Sequence, residues 1–423
     1  MQTNPGKLAL KHIRIIAISV FILFFLISLT KIGTFTLDET LFHFPNLMNF
    51  YNNGLSAAFN AKYSTANTPL PYIIVAAVAK LSSPTLLAAR LVTAVMSLFA
   101  FLIAMRLLNA SGASRFCFFV VLFFPYFFMH SFTFYAVNYG LFFALLALLL
   151  LYNTQKNDSY GSYFAVGVCL SLAVLCQQFY LMIPVAILFP KFITAFRQNA
   201  EGRLVYLKDL FIKGLLLAIP MIVPLLLFKR WGGLTHPNFR FNSLDFGPTN
   251  LVGISFVTGF YCSPYVLQSL RRINKWELSV SAVLSVLAVL LFRPKFSDVD
   301  QGPGIFTGIT YHIIIIAGKI HPIVTILMMM ALTCFGLLVF IKLFKSLSSE
   351  FEYILAASCS FLILAYTFNT QIGERHLLPF IIILFLLVLP RIKKPYTVLF
   401  PAFVAMIGIG YFFYWTFVKF AST

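Results

Sequence analysis

The sequence predicts an all-α integral membrane protein, and three observations carry that prediction. Of the 423 residues 60% are hydrophobic and only 10% are charged, with a mean hydropathy of +0.91. An ordinary soluble domain carries about 25% charged residues, so this chain lacks the means to cover a water-facing surface. Apolar runs recur along it, each of about 18 residues or more, enough to cross a hydrocarbon core of roughly 30 Å. The runs are uniformly apolar rather than alternating. Inside hydrocarbon every backbone polar group must be satisfied within its own segment, so such runs span as helices and not as barrel strands.

Charge and cysteine usage narrow the class further. The formal net charge of +19 comes from short basic clusters between apolar runs, with no basic stripe interleaved with stacking aromatics. That pattern fits topology signals and contacts to membrane-lipid headgroups, not a nucleic-acid partner. The six cysteines, Cys117, Cys169, Cys176, Cys262, Cys334 and Cys359, lie in or beside apolar runs. No two share a metal-ligand spacing, so buried thiols are expected rather than disulfides or a zinc site. The first apolar run, about Ile13 to Leu29, lacks a small-residue cleavage site and reads as a retained helix.

Basic residues set the expected topology. Lys7, Lys11 and Arg14 precede the first span and place the N-terminus in the cytoplasm. The span exits near Gly33, and residues 34–66 follow as an Asn- and aromatic-rich segment suited to short helices on the outer membrane face. Residues 69–82 are apolar, but this 14-residue stretch carries Pro69 and Pro71, which suits a re-entrant or interfacial helix. With that segment not crossing, the clusters from Arg106 through Lys156, Arg197, Arg271, Lys342 and Arg391 onward all fall on the cytoplasmic side. The expectation is then about 13 transmembrane helices with the C-terminus outside. Residues 1–423 form one polytopic domain, 34–84 its first extracytoplasmic loop, and 85–423 the remaining helices. Asp38, Glu39, Asp245, Asp298, Asp300 and Glu374 fall outside. No internal repeat of the kind common in transporters is evident.

Four segments could carry chemistry. In TLDETLFHFPNLMNFY, Thr36 to Tyr51, two adjacent carboxylates follow directly on a membrane exit, a costly place for charge. Asp38 and Glu39 would point about 100° apart on a helix, and His43 shares a face with Glu39. A general base acting on a hydroxyl is one reading; a helix N-cap formed by Thr36 or Asp38 is the other, and the two are compatible. In NAKYSTANTPLPY, Asn60 to Tyr72, Lys62 is the only cation of the outer loop and is either a phosphate ligand or a snorkelling lysine. In FNTQIGERHLLPF, Phe368 to Phe380, Glu374, Arg375 and His376 stand at the mouth of a span. Arg375 could grip a phosphate bidentately, pair with Glu374, or anchor at the interface. The loop KRWGGLTHPNFRF, Lys229 to Phe241, with Gly232, Gly233 and His236, could line a sugar or phosphate site or serve as interfacial anchors. His130 and Asn138 are expected as packed or hydrogen-bonded structural residues.

Together these segments resemble the GT-C superfamily of polytopic glycosyltransferases. Within it the sequence is most similar to the endoplasmic-reticulum dolichyl-phosphate-glucose alpha-1,2-glucosyltransferase family. That family carries a DE-x-FH-x-P pattern after its first span. Here Asp38-Glu39-Thr40-Leu41-Phe42-His43-Phe44-Pro45 runs on to Tyr51, with one extra residue before Phe-His. Lys62, Ser64, Thr65, Thr68, Pro69, Pro71 and Tyr72 echo the family's D-P-K-I-T-T-P-P-G-L-Y stretch. Arg375 and Pro379 match an arginine followed by an apolar proline-containing segment. The similarity covers residues 30–80 and 371–380 and is topological elsewhere. The chain departs from the family at Asn138, where the family has an acid, and at Gln177-Gln178, where it has Arg-Gln-Thr-Asn.

The resemblance implies a GT-C fold and an inverting transfer of a hexose, glucose being the family's sugar. The donor would be a polyprenyl-phosphate-linked sugar and the acceptor a glycan or lipid-linked glycan. It further implies Asp38 as base with Glu39 beside it, Lys62 and Arg375 on the donor phosphate, and His43, Tyr72, His236, Glu374 and His376 as substrate contacts. The active site would face the extracytoplasmic side, with a bacterial inner membrane favoured over the endoplasmic reticulum and an envelope glycan as acceptor. No cofactor is implied, and a divalent metal stays open. The rival class is a lipid or sugar transporter or flippase, which would need ionisable residues deep within its spans. Arg90 and Lys191 lie nearest span interiors. A non-catalytic membrane assembly factor is the third class.

Overall fold

The computed structural model describes residues 5–29, 36, 38–154, 159–239, 247–296, 305–306, 308–368 and 374–419. These residues are almost wholly helical. Helices of ten residues or more begin with α1 (Pro5–Leu29), α2 (Phe44–Asn53), α3 (Leu70–Ala79) and α4 (Leu86–Ala110). Next come α5 (Val137–Thr154), α6 (Tyr160–Val174), α7 (Met182–Ala195), α8 (Ala200–Ala218) and α9 (Ile222–Trp231). The chain continues through α10 (Pro248–Leu267), α11 (Lys275–Leu291), α12 (Ile309–Ile320) and α13 (Pro322–Ser346). It closes with α14 (Glu350–Thr367), α15 (Leu378–Val388) and α16 (Tyr396–Phe413). Among the described residues the only extended pairing is a two-residue parallel ladder, Lys295–Phe296 with Ile305–Phe306.

Nine helical stretches among the described residues are long and apolar enough to cross a membrane, the longest being Ala200–Trp231. They leave a predominantly apolar exterior, with Leu226, Leu327 and Met406 all at least 59% exposed. Such a surface is stable only against lipid, and the chain is therefore an all-α membrane protein. The expected count near 13 exceeds the nine because several apolar runs break up. The run from Phe118 splits into short helices at Phe118–Leu122 and Pro125–His130, where Pro125 opens the second. α3 is ten residues, about 15 Å, half a hydrocarbon core.

The chain packs as two compact units. The first comprises Met1–Leu181, Phe211–Arg240 and Pro401–Thr423. Aromatic contacts hold its core: Phe24 of α1 meets Phe128 at 4.8 Å and Phe412 of α16 at 5.2 Å. Gly408 lets α16 touch the backbone at Phe123, since a Cβ there would lie 2.0 Å from the Phe123 carbonyl oxygen. Within this unit, α4 presents Arg90, Thr93 and Ser97 on one face, its three buried polar residues, whereas Arg106 and Asn109 near its end are exposed.

The second unit comprises Met182–Leu210 and Phe241–Phe400. Its central feature is the crossing of α10 and α13. A Cβ at Gly259 would lie 1.8 Å from the Leu332 carbonyl oxygen, and one at Gly336 would lie 2.0 Å from that of Ser255. Two glycines therefore permit backbone-to-backbone contact, the way small residues bring helices together where lipid removes the hydrophobic drive for association. α15 is buried along its whole length, consistent with its uniformly apolar sequence.

Candidate active site in the first unit

Thr36, Glu39 and the turn they form begin the site. The Glu39 backbone N–H donates to Thr36 Oγ1 at 3.1 Å, and the Thr36 backbone N–H donates to Glu39 Oε2 at 2.8 Å. This is a capping box, and it decides between the two candidate caps. Thr36 caps, while the Asp38 side chain makes no capping hydrogen bond. Residues 39–43 then form a wide π-helical turn leading into α2. Pro45 stands in the first turn of α2, where its missing N–H costs nothing.

Glu39 is fully enclosed, at 0% exposure, and its carboxylate is saturated. Oε1 accepts from Arg90 Nε at 2.9 Å and from the Phe134 backbone N–H at 2.7 Å. Oε2 accepts from Arg90 Nη2 at 2.7 Å in addition to the Thr36 N–H. The fork-on-carboxylate geometry of Arg90 is the strong form of an ion pair, and it joins residues 51 positions apart in sequence. A buried charge is tolerated only when paired in this way. Asp38 is by contrast half-buried, next to the locked turn.

The next turn of the same segment brings His43 to the 60–72 segment. His43 is 2% exposed, and its Nδ1 lies 2.8 Å from Tyr72 Oη. Tyr72 Oη also lies 3.4 Å from Thr65 Oγ1. Burial pushes the Tyr72 phenol well above its ordinary value, with the Asp38 charge adding to the shift and hydrogen bonds from Thr65 and Asn67 opposing it. Burial likewise raises Tyr63. Both phenols are therefore neutral donors at physiological pH. The single Tyr72 proton is directed at Thr65 Oγ1, and the tautomer of His43 sets which of Nδ1 and Tyr72 Oη donates across their 2.8 Å contact. The asparagines of the segment are equally used. Asn49 and Asn60 exchange amide hydrogen bonds at 3.0 and 2.9 Å, and Asn46 Oδ1 accepts from the Ser64 N–H at 3.2 Å.

The loop after α9 packs against the same segment. Gly232, at φ 69°, takes the left-handed position that ends α9. Trp231 Nε1 donates to the Ala58 carbonyl at 3.0 Å, and Asn238 Nδ2 donates to that of Ala61 at 2.7 Å. His236, 5% exposed, packs edge-on to Tyr63 at 5.2 Å, and Tyr63 packs edge-on to Tyr72 at 6.1 Å. Lys62 remains exposed, beside the carbonyl that Asn238 holds. The Arg230 guanidinium stacks over Phe59 at 4.2 Å. Three of the four segments singled out in the sequence, 36–51, 60–72 and 229–238, thus meet within the first unit. Arg240 and Phe241, at the end of the fourth-named loop, lie outside the described residues, as do Lys156, Asp158, Asp245, Asp298 and Asp300.

Glu374, Arg375 and His376 belong to the second unit, and the residues just before them, 369–373, lie outside the described set. Glu374 is 1% exposed. Its Oε1 accepts from Tyr261 Oη at 2.5 Å, and its Oε2 accepts from the Thr310 N–H and Thr310 Oγ1, each at 3.0 Å. It thereby pins α10 to the first turn of α12, whose N-terminal dipole favours a carboxylate. Tyr366 Oη donates to the His376 carbonyl at 2.8 Å. Arg375 and His376 are partly exposed.

Arg90 and the Phe134 N–H are the contacts that sequence reasoning missed. The signal for Arg90 was present: a lone cation inside an apolar helix requires a partner. Asn138, at the position where the resemblance expects an acid, is fully buried and donates through Nδ2 to Ser97 Oγ at 2.8 Å. Next to it Thr93 Oγ1 and Tyr139 Oη lie 2.9 Å apart. All six cysteines are buried free thiols. Among the described residues no group of three or more His, Cys, Asp or Glu side chains could hold a metal ion. The chain matches no protein-family model, no curated protein and no solved structure.

Proposed function

We propose that the chain is an inverting glycosyltransferase of the GT-C type, taking a hexose from a polyprenyl-phosphate carrier to a glycan or lipid-linked acceptor. The observation that carries the proposal is that segments 36–51, 60–72 and 229–238 pack together, with the half-buried Asp38 in the first of them near enough for its charge to act on Tyr72. Asp38 has the accessibility a base requires, whereas the four donors on Glu39 suit it to orienting the turn. In the reaction Asp38 takes the proton of an acceptor hydroxyl, and the oxygen attacks the anomeric carbon from the side opposite the phosphate. The bond from that carbon to the phosphate oxygen breaks, and the carrier phosphate leaves with the electron pair. The configuration inverts in one displacement. Exposed Lys62 meets the charge growing on the departing phosphate. His43 and Tyr72 orient the acceptor, as does His236 from its loop. Arg375, with Glu374 and His376 beside it in the second unit, keeps the phosphate-binding expectation that the resemblance gives it.

The proposal includes about 13 spans, a cytoplasmic N-terminus and an extracytoplasmic active site. The test is transfer from polyprenyl-phosphate hexoses, glucose first, by the purified protein and by Asp38→Asn. The expected result is product from the parent and at least a hundredfold loss in the variant at unchanged fold. Full transfer by a folded Asp38→Asn protein would remove Asp38 as base. Ion-coupled uptake with no transfer would favour the transporter class, although Arg90 and Lys191, the cations that the sequence places nearest span interiors, are both paired with acids.

A further inference from the structure

One end of the second unit gathers three loops that are distant in sequence. Arg391 Nε donates to Ser346 Oγ at 2.8 Å, its Nη2 to Glu352 Oε1 at 2.7 Å, and its Nη1 to the Leu387 carbonyl at 2.6 Å. The Gln268 side chain bridges to the same loop, donating to the Arg391 carbonyl at 3.2 Å and accepting from the Lys393 N–H at 2.8 Å. Lys345 Nζ reaches Glu277 Oε1 at 2.5 Å, and Lys191 pairs with Glu350. Residues 268–277, 345–352 and 391–394 are thereby fixed beside one another.

The charge at this end is unbalanced by construction. Its three acids, Glu277, Glu350 and Glu352, are each committed to a cation: Lys345, Lys191 and Arg391. Arg272, Lys275, Lys393 and Lys394 are exposed, and no acid among the described residues pairs with them. Their chains are short of freedom, because Gln268 holds the 391–394 backbone and Asn274 caps α11 through the Trp276 N–H at 3.0 Å. Among these cations stand large apolar side chains facing outward: Trp276 at 74% exposure, Phe344 at 53% and Leu270 at 43%. Both α13 and α14, which meet at residues 346–350, are long and apolar enough to cross the membrane, so this end lies at the depth of the headgroups.

We infer that this end of the second unit is an anionic-phospholipid binding surface, built from Arg272, Lys275, Lys393 and Lys394 around Trp276. The cations match headgroup phosphates, Trp276 suits the interfacial layer where its ring is half apolar and half polar, and Phe344 and Leu270 meet the acyl region. A soluble acidic protein would match the cations but would leave those side chains facing water. The inference is independent of the glycosyl-transfer proposal, since no residue of that site belongs to it.

The test uses the full chain purified in neutral detergent, with phosphatidylglycerol, phosphatidylcholine or inorganic phosphate added. Lipid retention by native mass spectrometry and the shift of the unfolding temperature are both read. Phosphatidylglycerol should be retained and stabilising, phosphatidylcholine much less so, with the difference shrinking as salt rises. Each cation near a headgroup layer contributes about fivefold, so Lys275→Gln/Lys393→Gln/Lys394→Gln should lose on the order of 100-fold in apparent affinity for phosphatidylglycerol. A charge-matched control, Lys80→Gln/Arg106→Gln/Lys319→Gln, removes exposed cations elsewhere and should keep it. The inference is overturned if the two triple variants behave alike, if phosphatidylcholine binds as well as phosphatidylglycerol, or if inorganic phosphate stabilises as much as the lipid.

Discussion

Replacing Arg90 with Met is the most informative single perturbation of the first unit. The substitution keeps the length and apolar body of the side chain but removes the guanidinium from Glu39. Glu39 is 0% exposed and would keep only the Thr36 and Phe134 N–H groups, each on a separate oxygen. Breaking a buried pair by deleting one partner costs about 3–5 kcal/mol, because an uncompensated charge stays in a low-dielectric site. Two strong charge-assisted hydrogen bonds at about 1.5–3 kcal/mol each lead to the same range. The companion variant Glu39→Gln removes the charge and keeps one acceptor oxygen. The double variant Arg90→Met/Glu39→Gln leaves no buried charge and should recover most of the loss. A double-mutant cycle on equilibrium unfolding in detergent measures the coupling, expected at about 2–3 kcal/mol. If Arg90→Met costs under about 1 kcal/mol, or the double variant is no more stable than Arg90→Met, the ion pair does not hold residues 36–43 in place. The double variant also separates stability from chemistry. Restored folding with transfer still reduced would assign the pair a positioning role for Asp38.

Three further outcomes are expected. Gly336→Leu should abolish folding of the second unit, read as loss of a monodisperse peak, because its Cβ would start 2.0 Å from the Ser255 carbonyl oxygen; Gly318→Ala, which meets only Thr325 Oγ1 at 3.4 Å, should be tolerated. The raised phenols of Tyr63 and Tyr72 hold their protons in the folded state at pH values where the unfolded chain has lost them. Stability they contribute is complete below the unfolded value near 10 and falls as pH rises above it, by about 1.4 kcal/mol per pH unit for each group. Unfolding temperature should decline between about pH 10 and 11 in the parent and less steeply in Tyr72→Phe; an identical slope would remove Tyr72 from the account. Lys62→Gln, at an exposed position, should leave the unfolding temperature unchanged and raise the KM for the lipid-phosphate donor about tenfold, and unchanged donor kinetics would free Lys62 from the phosphate.

What the sequence determined by itself is the solvent of this protein and the material of its spans. Hydropathy is a local sum over neighbouring residues, so runs of apolar side chains announce membrane helices without reference to anything far away. The same locality made a helix start at Thr36 or Asp38 legible, and it marked 36–51, 60–72 and 229–241 as segments out of keeping with their surroundings. Tertiary structure alone decided what those segments do to one another. Asp38 and Glu39 are adjacent and chemically alike, yet one is enclosed by Arg90 from 51 positions away and the other is left half-open. No local pattern distinguishes them, because the difference is made by a helix that the chain reaches only after another loop. The Trp231 and Asn238 hydrogen bonds to residues 58 and 61 bridge more than 170 positions, and the glycine crossing of α10 and α13 depends on facing backbones. Such contacts form where packing brings distant groups within hydrogen-bonding reach, and burial then makes them worth several kcal/mol because no water remains to replace them.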